Sequence, residues 1–198
     1  MIRLISIVLV GGLLTYLTYK SRTQSFLFEE LIWGILIVIG SLIVTWTAFR
    51  DFQTFKRKNR ISNFRLTFLC LAFIMIIISL EIRITNTFNK PTLLKFYYDG
   101  DFNGTAIDFK TDGTYIFDNS AIGFSSYFYG TYKIAGNRIT LDKDTIANLT
   151  DLKYFEIQEK QIKERESELF AFQIDNAGNV IERSMEYRVT IDNRKSKN

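Results

Sequence analysis

The run SSYFYGTYKIAGNRITLDKD, Ser125 to Asp144, reads as two stretches of alternating side chains joined by an Ala-Gly-Asn-Arg turn, the pattern of a β-hairpin. Working outward, six more stretches of the same kind flank its two arms, making eight from Leu93 onward. They are Leu93–Asp99, Thr105–Lys110, Thr114–Asp118, Ser125–Ile134, Arg138–Asp142, Leu152–Ile162, Ser167–Asp175 and Val180–Ile191. Thr111-Asp112-Gly113, Ala135-Gly136-Asn137 and Asn176-Ala177-Gly178-Asn179 supply tight turns, because Gly and Asn adopt positive φ at low cost. Short links between successive strands predict an up-and-down antiparallel order. Eight such strands close into a small barrel, which removes the exposed edges of an open sheet.

A period of two assigns faces. The expected interior holds Leu94, Phe96 and Tyr98; Tyr115 and Phe117; Phe128, Tyr132 and Ile134; Phe155 and Ile157; Phe170, Phe172 and Ile174; and Met185, Tyr187, Val189 and Ile191. Arg183 interrupts the apolar face of the last strand two residues before Met185. It reads either as an arginine snorkelling to water at the barrel end or as the charged group at the mouth of a ligand cavity. A barrel of this size is filled by side chains or holds one small ligand. Tyr98, Tyr115, Tyr132 and Tyr187 fit core packing with hydroxyls that find partners. They also fit stacking on a planar base, with Arg183 or Lys133 meeting a phosphate. These six residues are the candidate ligand-binding set.

The first part of the chain is of a different kind. Three apolar runs, Leu4–Tyr19, Leu31–Phe49 and Leu66–Leu80, are free of acids and bases, and the middle one approaches the roughly 20 residues that cross a hydrocarbon core. Trp33 and Trp46 fall near its two ends, where aromatic residues favour the interface. No small-x-small cleavage site follows the first run, so it reads as an uncleaved helix rather than a signal peptide. Charge-free runs speak against a proton or ion path. Gly11-Gly12, Gly34, Gly40 and Ser41 offer places for helices to approach closely, although glycine is common in membrane helices. Between the second and third runs, Arg50, Lys56, Arg57, Lys58, Arg60 and Arg65 face the single acid Asp51. By the positive-inside rule that loop is cytoplasmic, and if all three runs span, the tail domain lies outside. The division expected is therefore a membrane region over 1–90, a barrel over 91–192 and a basic tail over 193–198.

The net charge of +4 belongs to the membrane half, and the tail half is slightly acidic, so the basic balance does not indicate DNA binding. With no histidine and one cysteine, Cys70 inside an apolar run, there is no disulfide framework or metal-ligand spacing, and His-based catalysis is excluded. No phosphate-binding glycine loop, nucleophile elbow or calcium loop is present. An enzyme would have to use carboxylates such as Asp99, Asp101 and Asp108, which fall at strand ends and turns where acids are common. No cofactor is expected.

Short apolar helices joined to an eight-strand domain containing YFYGTYKIAGNRITLD resemble the membrane-anchored β-barrel effectors of bacterial CBASS antiphage systems, the CD-NTase-associated proteins of transmembrane-plus-barrel build. The resemblance covers nearly the whole chain and rests on architecture and on a G-x-Y-x-I…G-x-x-I-x-L hairpin that other lipocalin-like bacterial domains share. It implies two membrane helices and a cytoplasmic barrel that binds a cyclic di- or trinucleotide made on infection. The protein then assembles as a homo-oligomer, and its helices disrupt the inner membrane lipid bilayer. The alternative expectation is an envelope or immunity protein whose lipocalin-like barrel faces the periplasm and meets a protein or lipid.

Overall fold

The computed structural model describes residues 1–146, 150, 153–163, 166–182 and 184–194. The chain divides into two compact units, Met1–Thr87 and Phe88–Asn198.

In the first unit, α1 (Ile2–Ser21), a short extended segment β1 (Gln24–Phe26), α2 (Glu29–Lys58), a 3-10 turn (Ile61–Phe64) and α3 (Arg65–Phe88) follow one another. Three helices are thus long and apolar enough to cross a membrane. Even α1, with 20 residues, rises about 30 Å at 1.5 Å per residue. Three hydroxyls at this depth are satisfied locally, Thr15, Thr18 and Ser41 donating to the carbonyls of Gly11, Leu14 and Ile37 one turn back, whereas the buried Thr47 hydroxyl has no partner among the described residues. Helix α2 carries Glu29 and Glu30 in its first turn and Lys56, Arg57 and Lys58 in its last, the arrangement its dipole favours. It stops at Asn59, whose left-handed backbone returns its N–H to the Phe55 carbonyl.

The helices run beyond the apolar runs, and this brings one acid inside. Asp51 is only 3% exposed. One carboxylate oxygen accepts from Arg3 at 3.0 Å, and the other accepts from the Thr67 amide at 3.2 Å and hydroxyl at 2.9 Å. The start of α1, the end of α2 and the start of α3 therefore meet at one end of the bundle. Tyr19 and Arg22 of the α1 end line a small recess with Leu80, Ile84 and Thr87 of α3, so α1 and α3 run parallel. Of the candidate small residues, Gly11 is a true close approach: a Cβ there would meet the Phe73 ring at 2.7 Å. Gly12 and Gly34 face open space, and Gly40 makes ordinary contacts. Between the helices an apolar cavity of about 460 Å³ remains, lined by Gly11, Trp33, Gly40 and Phe73 among others.

The second unit is a closed eight-stranded antiparallel barrel, as the turn pattern predicts. Its strands are β2 (Thr92–Gly100), β3 (Asn103–Lys110), β4 (Thr114–Ala121), β5 (Phe124–Ala135), β6 (Arg138–Leu141), β7 (Tyr154–Lys163), β8 (Glu166–Gln173) and β9 (Tyr187–Asp192). Each pairs with the next in sequence, and β9 pairs with β2 to close the wall. The β5–β6 hairpin is the one that the Ala-Gly-Asn turn announces: Ala135 pairs with Arg138 and Gly136 has φ +63°. Arg194 caps that turn by donating to the Gly136 carbonyl and the Asn137 side chain while paired with Asp192.

The core is built from the expected faces of most strands. Leu94, Phe96, Ile107, Phe109, Tyr115, Phe117, Ile139, Leu141, Phe155, Ile157, Ala171 and Tyr187 are all nearly inaccessible, with Tyr98, Phe128, Tyr132, Ile134, Met185 and Val189 packed around them. Two expectations are overturned. In β8 it is Ala171 and Gln173 that point inward, opposite Ile157 and Phe155, while Phe170 and Phe172 lie on the outer wall opposite Gln158 and Glu156. The reason is volume: Ala171 is the cross-strand partner of Tyr187, whose ring packs against Phe96, Tyr98 and Phe155, and a second ring would not fit. The last strand also starts at Tyr187 rather than Val180. The Ile174–Val180 bridge and the Asp175–Asn179 turn consume the residues before it, and an irregularity between Lys95 and Phe96 turns Ile191 outward.

One buried cation lies in this unit. Lys110 is 2% exposed, and its ammonium donates to the carbonyls of Phe88 and Lys90 and to Asp108, which also accepts from Thr92. Three acceptors satisfy the three donors of an ammonium, which is what permits its burial.

Candidate functional site

Five of the six candidate ligand residues lie among the described residues, and their surroundings differ. Tyr115 and Tyr187 are core side chains at 1% and 0% exposure. Tyr115 faces Gly130 across the β4–β5 ladder, where a Cβ would come within 2.5 Å of its hydroxyl and crowd an Asp142 oxygen. Burial, reinforced by that carboxylate, holds its phenol well above the ordinary range. Burial likewise pushes the Tyr187 phenol up, and its hydroxyl donates to the Met185 sulfur at 3.5 Å. Tyr132 is half-buried, donates to the Lys110 carbonyl at 2.7 Å and has its phenol raised by burial and the nearby Asp112 and Asp108. Lys133 is exposed on the outer face. Arg183 lies outside the described residues, as does Leu152 at the start of the expected sixth strand. Among the described residues, Tyr115 and Tyr187 thus belong to the packed core, with Tyr98 and Tyr132 set against it.

Tyr98 alone among the five described candidates lines an open recess. Ladder pairing between β2 and β9 ends at Tyr97 and Arg188, whereas β2 continues to Gly100, still paired with β3 on its other side. Residues 184–186 leave the sheet at that point because β9 begins only at Tyr187. The wall opens there into a cleft of about 560 Å³, within the range of small-ligand and peptide-anchor sites. Its lining includes Tyr97, Tyr98, Asp99, Phe170, Met185 and Arg188. Met185 forms part of the floor, where its sulfur accepts from Thr105 and Tyr187.

The charges around the cleft are mostly spoken for. Arg188 is paired with Glu168, and Lys160 is paired with Glu186 and stands 5.5 Å from the Phe170 ring centre. Asp99 is exposed and makes no ion pair among the described residues. Of the three carboxylates considered for catalysis, Asp99 stands here, Asp101 occupies the left-handed turn after β2, and Asp108 is tied to Lys110 and Thr92. No group of three or more metal-ligating side chains occurs among the described residues.

Tyr97 and Phe170 were not among the expected ligand residues, because alternation assigns Tyr97 to the outer wall and Phe170 to the interior, and Asp99 was considered only as a catalytic carboxylate. The available signal was length: a final strand of twelve residues has no partner that long in β2.

Fold and cleft together define a class: a closed eight-stranded barrel with a cleft in its wall, preceded by three helices able to cross a membrane. No family model, curated protein or solved structure matches the chain.

Proposed function

We propose that this chain is a membrane-anchored binding protein of the inner membrane, with three spans that hold the barrel on the outer face, where its wall cleft meets an envelope partner. The parallel course of α1 and α3 carries this reading. The Asp51 junction gathers the start of α1 with the basic loop at one end of the bundle, so α3 leaves at the other end and enters β2 within a few residues. With the basic loop inside, the chain after α3 is outside. The burial of the Tyr115 and Tyr187 rings in the core adds support, since of the four tyrosines it leaves Tyr98 to line the wall cleft.

The test uses an impermeant maleimide on spheroplasts. Native Cys70 is 4% exposed and serves as a silent background. Lys133→Cys on the barrel is expected to label in intact spheroplasts, and Arg57→Cys in the basic loop only after lysis. The reverse pattern would overturn the reading.

A membrane-effector function of the CBASS kind is the second reading, and the cavity of about 460 Å³ between the helices favours it, because a loosely filled bundle has room to repack into an assembly. In that case a cyclic di- or trinucleotide binds at the barrel surface, the barrel is cytoplasmic and one helix does not cross. Co-expression with a cyclic-nucleotide synthase would then be toxic, and the maleimide pattern would reverse.

A further inference from the structure

We propose that the wall cleft beside β2 takes an extended peptide segment that carries a lysine or arginine side chain. The assignment deepens the binding-protein reading and depends on it only for the side of the membrane on which the partner is met.

Two independent observations point to this occupant. The first is the backbone. From Tyr98 to Gly100, β2 is paired with β3 on one side and, among the described residues, with no strand on the other, so an edge of main-chain donors and acceptors faces the cleft. Added strands dock on such edges, with main-chain hydrogen bonds supplying affinity and alternate side chains supplying selectivity. The second is the chemistry of the recess. Of its charged lining residues, Arg188 is paired with Glu168 and Glu186 with Lys160 outside it, which leaves the Asp99 carboxylate as the uncompensated charge among the described residues. Tyr97 and Tyr98 stand beside it, and Tyr97 is 40% exposed. A carboxylate flanked by aromatic rings suits an ammonium or guanidinium, which gains both the charge and the ring faces. A phosphate would meet the same carboxylate as a repulsion.

The probe is a fluorescein-labelled peptide of alternating valine and lysine, used with the full chain in detergent micelles. Two comparison peptides have glutamate in place of lysine or an N-methylated backbone. The lysine peptide is expected to bind saturably, and each comparison peptide at least about tenfold more weakly. Asp99→Asn, at an exposed side chain, is expected to weaken the lysine peptide about tenfold, the loss of one charge-assisted contact of about 1.4 kcal/mol. Asp144→Asn, another exposed acid, is expected to leave binding unchanged. Equal binding of the three peptides, an unaffected Asp99→Asn variant, or displacement of the peptide by a cyclic dinucleotide would each overturn the assignment. Because the measurement is made in micelles, a barrel found to be cytoplasmic would refute the proposed topology and leave this result standing.

Discussion

Replacing Lys110 with methionine keeps the stem that packs beneath the barrel wall and removes only the ammonium. Three acceptors then lose their donor: the main-chain carbonyls of Phe88 and Lys90 and the carboxylate of Asp108. Removing one partner of a buried pair costs about 3–5 kcal/mol. The Asp108 side chain is 22% exposed and recovers some hydration, which sets the expectation at the lower end, about 3 kcal/mol. The readout is hydrogen exchange of backbone amides in β2 and β3, measured by mass spectrometry on the full chain in micelles. A loss of this size accelerates exchange through global opening of the barrel about a hundredfold. Lys143→Met is the comparison, since that exposed lysine donates to a single carbonyl, of Tyr129, and its loss is expected to matter little. Adding Asp108→Asn to Lys110→Met removes the stranded charge and is expected to restore roughly 1 kcal/mol or more, a coupling that neighbours in one network show. Acceleration of less than tenfold in Lys110→Met, or an effect no larger than that of Lys143→Met, would refute the reasoning that the ammonium is a structural centre of the barrel.

Ala171→Leu is expected to destabilise the barrel by about 1–3 kcal/mol, because the added branch meets the Tyr187 ring across the ladder; denaturant unfolding followed by tyrosine fluorescence measures it. Asp112 has its carboxyl lowered to about 2 by Lys90, with Thr114 assisting, so NMR titration is expected to give a midpoint near that value and a higher one in Lys90→Ala. The folded carboxyl binds protons less readily than the unfolded one, so its contribution is present above about pH 4 and is lost as pH falls towards 2. Asp51→Ala is expected to release the end of the helix bundle, seen as faster maleimide labelling of Cys70 in micelles; unchanged labelling would show that the three helix ends hold together without the carboxylate.

The barrel was legible in the sequence wherever a turn and an alternating run coincide. Gly113 and Gly136 occupy the left-handed backbone that their turns demand, and Phe96, Phe117, Phe155 and Tyr187 point where a period of two sends them. Alternation fails in β8 because LFAFQ offers two equally regular faces, and which one turns inward depends on Tyr187 in the next strand. It fails again before β9, where Asn176 to Gly178 fold into a turn whose bridge partner is Val180. Lys110 and Asp51 read as ordinary charges, one beside a turn and one beside a basic loop, since most of the partners that permit their burial lie sixteen or more residues away. The cleft was hidden for a related reason: it exists where pairing stops, and a single strand's pattern does not record the length of its neighbour.

Two tyrosines face the smallest residues of their partner strands, Tyr115 opposite Gly130 and Tyr187 opposite Ala171. Each ring occupies room that its small cross-strand partner leaves free, so the two pairs are matched by size. Exchange of the large and small members between strands would preserve the volume of each pair while swapping which strand carries the ring.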